Sequence, residues 1–186
     1  MRKTLKTIAL CLAIMGSGIV VTSCDEENSW FSSIINIVEN ILGTSGTGST
    51  YTYAGTLSIS MYDYNATNNT YDQDSRVAKT FQTSAVVDVY ESDEAVIVEL
   101  PGDMNFNGTT VAKFKFITYW KEGKIDPEGP NYLTGGTCTY NGTQDTECAA
   151  TAIQGTYGDQ LSLTTIYFQV GDKLFMGTFS GTIEAE

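Results

Sequence analysis

From Tyr51 onward apolar side chains recur at every second position, and no helical spacing returns in that stretch. A period of two sends alternate side chains to opposite faces of an extended chain, so each segment hides one face only if a sheet curls or stacks. Tyr51, Tyr53, Gly55, Leu57, Ile59 and Met61 alternate with Thr52, Ala54, Thr56, Ser58 and Ser60. Ala112, Phe114 and Phe116 share one face, with Lys113 and Lys115 on the other. Similar runs cover 76–83, 85–89, 95–100, 132–140, 148–153, 161–170 and 173–184. Pro101-Gly102-Asp103, Asn107-Gly108 and Gly171-Asp172 read as turns, the last as a tight hairpin. Residues 63–75 and 121–131 read as polar loops, the second holding Pro127 and Pro130. Eight or nine strands at this spacing predict an all-β antiparallel domain. Short connections favour an up-and-down order, and an eight-stranded meander removes its edges by closing its first strand on its last. The first and last segments, Tyr53-Ala54-Gly55-Thr56-Leu57 and Met176 to Ile183, both set small residues among large ones, as a tight barrel wall requires.

The N-terminus has a different logic. Arg2, Lys3 and Lys6 precede an apolar run from Ile8 to Val21, too short for a membrane span and without a charged stop beyond it. The run ends in Val21-Thr22-Ser23-Cys24, which resembles the lipobox of bacterial lipoproteins. That resemblance implies a signal peptide over 1–23, cleavage before Cys24 and a diacylglyceryl group on its sulfur. Acyl chains contribute about 0.8 kcal/mol per buried methylene, so two or three anchor a protein stably. Asp25-Glu26-Glu27 resembles the surface-export signal of Bacteroides-type lipoproteins and implies the outer face of the outer membrane, a periplasm-facing anchor being the alternative. Residues 24–50 then form a tether. Within it, 29–42 carries Trp30, Ile34, Ile37, Val38 and Ile41 at helical spacing, followed by a Gly/Ser/Thr linker. This short amphipathic helix either docks on the barrel or lies in the lipid interface. The barrel domain occupies 51–186.

Charge and composition exclude several functions. Of 10 Lys and Arg, three lie in the first 23 residues, whereas all 22 Asp and Glu lie beyond, leaving a formal charge of −15 after cleavage. Such a polyanion repels phosphate backbones, so nucleic acid is not an expected partner. The chain has no histidine. That removes Ser-His-Asp and Cys-His catalysis and the commonest metal ligand. No Gly-x-Ser-x-Gly and no phosphate-cradling glycine loop is present. The expectation is a non-enzymatic protein without cofactor or metal.

Two cysteines remain in the barrel domain. Cys138 and Cys148 flank the turn signal Asn141-Gly142, though not symmetrically. A disulfide suits an oxidising compartment, and two buried thiols or a metal pair are the alternatives. The 63–74 segment gathers Asp63, Asp72 and Asp74 with several Asn and Thr, oxygen ligands that calcium accepts, but it lacks EF-hand spacing and reads first as a solvated hairpin loop. Tyr62, Tyr64 and Tyr71 in the same region can stack on sugar rings.

The Cys24 lipobox, the opening Tyr53-Ala54-Gly55-Thr56-Leu57-Ser58-Ile59 and the closing Gly177-Thr178-Phe179-Ser180-Gly181-Thr182-Ile183 together resemble the lipocalin-like, or calycin-like, domains of Bacteroides lipoproteins. The resemblance covers about 51–186. It implies a small antiparallel barrel that encloses an apolar ligand. The expected function is therefore a lipid-anchored, exported barrel that binds a small apolar or amphipathic molecule, with Tyr53, Leu57, Ile59, Phe114, Phe116, Phe175 and Phe179 facing the ligand. The alternative is a surface module that binds a glycan or a partner protein through loops 63–75 and 121–131.

Overall fold

The computed structural model describes residues 12–15, 18–21, 48–90, 95–126 and 134–185. Cys24 and the 29–42 segment lie outside these residues. Leu12–Met15 and Gly18–Val21 pair as a separate two-stranded antiparallel sheet. All other strands belong to one ten-stranded sheet: β1 (Ser49–Asn65), β2 (Thr70–Tyr90), β3 (Ala95–Phe106), β4 (Thr109–Lys121), β5 (Lys124–Ile125), β6 (Gly135–Tyr140), β7 (Thr143–Glu147), β8 (Ala150–Thr156), β9 (Gln160–Val170) and β10 (Lys173–Ile183).

Consecutive strands pair antiparallel from β1 to β4, and β10 pairs with both β9 and β1. On the remaining side β6 pairs with β4 and with β7, while β8 pairs with β9. β7 and β8 thus act as one wall strand bent at Cys148–Ala149. The Cys148 N–H donates to Gly136 O on one neighbour at 3.1 Å, and the next N–H, of Ala149, donates to Gln169 O on the other at 2.8 Å. The two-residue β5 completes the seam at one end, with Ile125 opposite both Trp120 of β4 and Gly155 of β8. Counting β7–β8 as one strand and β5 as an insert, the sheet is a closed antiparallel barrel of eight strands.

The first strand meets the last in register, Leu57 opposite Phe179 and Gly55 opposite Gly181. This glycine pair is a close approach of two backbones. A Cβ on Gly55 would lie 2.3 Å from Ser180 O and 2.7 Å from the Phe179 ring, and one on Gly181 would lie 2.8 Å from that ring. Phe179 covers the gap that the missing side chains leave, so the wall bends tightly without a void.

Alternation fills the interior. Tyr53, Leu57, Ile59 and Met61 from β1 meet Val96, Val98, Leu100 and Phe106 from β3, Phe114 and Phe116 from β4, and Ile166, Phe168, Phe175 and Phe179 from the last hairpin. Each fully buried Phe or Leu contributes roughly 1.5–3 kcal/mol, so this interior is the main source of stability. Lys113 and Lys115 face outward beside Glu99 on β3.

Several expected boundaries shift. Residues 63–75 are not a loop: β1 runs to Asn65 and β2 begins at Thr70, with Asp63 opposite Asp72 and Tyr64 opposite Tyr71. Polar side chains do not end a ladder whose backbone groups stay paired. The expected strands at 76–83 and 85–89 are parts of one 21-residue strand. Pro101-Gly102-Asp103 is a register irregularity inside β3, not a turn between strands. The 121–131 loop contains β5 and is described only to Asp126.

Candidate functional site

The β1–β2 hairpin is longer than the strands beside it, and its tip overhangs the β9–β10 turn at Gly171-Asp172. The overhang is held by the Tyr64 N–H, which donates to Asp172 O at 2.8 Å. Within the hairpin, the Thr67 N–H donates to Asn65 Oδ1 at 3.0 Å and the Asp74 N–H to Asp72 Oδ1 at 2.9 Å. These side chains satisfy backbone donors that the tip exposes. Asn69 takes the left-handed conformation at φ 52°, and its side-chain oxygen accepts from the Tyr64 hydroxyl at 3.1 Å.

Between this tip and the β9–β10 turn lies a groove of about 390 Å³, lined by Asp63, Tyr64, Asn65, Thr70, Tyr71, Asp72, Asp172 and Lys173. Its size falls within the range of small-ligand sites. Lys173 reaches Asp63 at 2.7 Å and Asp172 at 3.4 Å. The Asp63 partnership holds the ammonium above its ordinary value. Three carboxylates against this one ammonium leave the groove negative and rich in acceptors.

The wall below the groove is aromatic on its outer face. Tyr62 and Tyr71 meet edge to face, with ring centroids 5.1 Å apart. With Tyr64, Tyr167, Leu174, Met176 and Ala152 they form a second apolar cluster, distinct from the interior. Tyr167 is only 3% exposed, and its hydroxyl has no hydrogen-bond partner among the described residues. Burial, with Tyr64 and Tyr71 close by, holds this phenol protonated far above the usual range. A buried hydroxyl left unpaired costs about 1–3 kcal/mol, so a donor stands uncompensated beside the two rings that line the groove.

No protein-family model and no curated protein matches the sequence. Among solved structures, a mutant of the vaccine antigen transferrin-binding protein B from Actinobacillus pleuropneumoniae H49 aligns with a TM-score of 0.39 and 12% sequence identity, over 73% of this chain. The match spans 62% of that protein, less than two thirds of its length.

All seven residues expected to face an interior ligand are buried in the barrel: Tyr53, Leu57, Ile59, Phe114, Phe116, Phe175 and Phe179. They lie close to one another and to residues the sequence reading passed over. Phe168 stacks on Phe175 with centroids 4.7 Å apart and planes 5° from parallel, and Phe106 meets Phe175 edge to face at 5.2 Å. Tyr53 donates its hydroxyl to Gly158 O at 2.9 Å. Phe168 was findable from its alternation with Ile166 and Val170. Tyr167 was not, because its outward parity reads as solvent-facing, whereas the hairpin tyrosines with Leu174, Met176 and Ala152 cover it.

Among the described residues no three carboxylate or thiol side chains converge as a metal-binding group. Cys138 and Cys148 are both buried and unbonded in this structure. At the opposite end of the barrel, Asp126 is 3% exposed and its Oδ1 has no partner among the described residues. Burial there pushes its carboxyl up to about 7.

Proposed function

We propose that this chain is an exported, non-enzymatic binding protein that holds a saccharide in the rim groove, tethered to the outer membrane through lipid on Cys24. The groove carries the reading. It joins the half-buried Tyr71 ring to carboxylate and amide acceptors at Asp63, Asn65, Asp72 and Asp172. Sugars need that combination, because their C–H faces stack on aromatic rings while their hydroxyls donate to oxygen acceptors. The excess of carboxylates favours neutral or amino sugars over sialylated or sulfated ones. The inward phenylalanines contact each other and serve as packing, so we place the ligand on the rim and not among them.

Binding of the folded protein to arrayed neutral, amino and acidic glycans tests this reading. Tyr71→Ala is expected to weaken the best ligand about tenfold, the loss of one stacking face. Silence of the folded protein across all three classes overturns the reading, as does saccharide binding that Tyr64→Ala and Tyr71→Ala leave unchanged.

A further inference from the structure

We propose that Cys138 and Cys148 join as a disulfide that pins the barrel wall where it changes neighbours. Cys138 sits in β6 opposite Thr146 of β7. The β6–β7 ladder continues past the end of β7, since the Cys148 N–H donates to Gly136 O. The two cysteines therefore occupy diagonal positions on one face of an antiparallel pair. Both turn inward into the same core cluster, at 2% and 6% exposure. Diagonal neighbours lie about 7–8 Å apart in a flat sheet, and strand twist shortens one of the two diagonals toward the roughly 4.4–6.8 Å between Cα atoms that a disulfide spans.

The position gives the bond its effect. One residue beyond Cys148 the backbone leaves β6 and pairs with β9. A cross-link at that point keeps β7–β8 on β6 while it also serves β9. The oxidant is a dithiol-accepting disulfide of the export compartment or of a glutathione buffer. One cysteine thiolate attacks that disulfide and releases its first sulfur. The second cysteine then attacks the mixed disulfide and releases the other. Both chain sulfurs are oxidised, both donor sulfurs are reduced, and the two protons end on the donor's thiols. The Cys138 contact and burial push the Cys148 thiol up. Exchange is therefore fast in the open chain and slow once the barrel has closed.

Reduced, unfolded full-length chain is refolded in glutathione redox buffer, quenched by alkylation and cut with a Glu-specific protease without reductant. Cleavage after Glu147 separates the two cysteines onto different fragments. The expected result is a linked pair of fragments that reductant releases and that Cys148→Ala abolishes. Folded protein with both thiols alkylated at the most oxidising ratio overturns the proposal, and so does linkage to Cys11 or Cys24 instead. Reductant should lower the melting temperature of the wild type by about 5–10 °C and leave the Cys138→Ala/Cys148→Ala double variant unmoved. A linked wild type that melts identically with and without reductant overturns the pinning role.

Discussion

The two faces of the last hairpin are buried almost equally and built from different chemistry. On β9, Phe168 turns in and Tyr167 turns out, at 1% and 3% exposure. On β10, Phe175 turns in and Leu174 out, each at 1% or less. Inside, the rings are phenylalanines with nothing polar to satisfy. Outside, the cluster consists largely of tyrosines, and one of its hydroxyls has no partner. Depth alone therefore does not separate core from site. The distinguishing mark is a polar atom that burial has left unpaired among the described residues.

The inner face should give the largest response to substitution. Phe175→Ala is expected to cost about 3–5 kcal/mol in urea unfolding, because it removes the ring on which Phe168 stacks and leaves a cavity. If the variant still folds, saccharide binding should persist. Its specific loss would mean that the two faces are one functional unit. Asp126 is the control at the other end, an orphaned buried carboxyl with no described groove beside it. Its folded value near 7 lies above the ordinary 3.8, so its contribution is fully present below about pH 4 and is lost as pH rises through 7. Asp126→Asn should flatten that part of the stability–pH curve and stabilise neutral protein by on the order of 2 kcal/mol, read by thermal melts across pH.

Tyr167→Phe sharpens the contrast further. It deletes the unpaired hydroxyl and should stabilise the protein by about 1 kcal/mol. Lower stability instead would show that the hydroxyl is satisfied in solution. The smallest effect belongs to Lys173→Met, about 0.5 kcal/mol and shrinking with added salt, because its Asp63 partner is largely solvent-exposed.

The inner face was legible in the sequence because period two is a local signal. The alternation from Tyr53 to Met61 places the buried side chains correctly, and the small residues at Gly55 and Gly181 marked the strands that meet. Asn107-Gly108, Asn141-Gly142 and Gly171-Asp172 all turn as their chemistry dictates. The groove was only half legible. Its tyrosines and carboxylates stand out as a cluster, but the polarity of residues 63–75 reads as a loop although both strands continue through it. The burial of Tyr167 depends on a hairpin about a hundred positions away in the chain, and no local pattern encodes that overhang. The β7–β8 bend was hidden for the same reason. Its change of partner is a property of β6 and β9, and not of the residues that bend.

The glycine contact between β1 and β10 has a consequence for how the protein is made. It joins the opening strand of the domain to the closing one, so β1 has no partner on that side until the final strand has been made. Until then both edges stay bare, and a chain halted after β9 carries two open ladders in place of a sealed wall. Premature truncation near Gly171 should therefore give insoluble material and not a smaller working barrel.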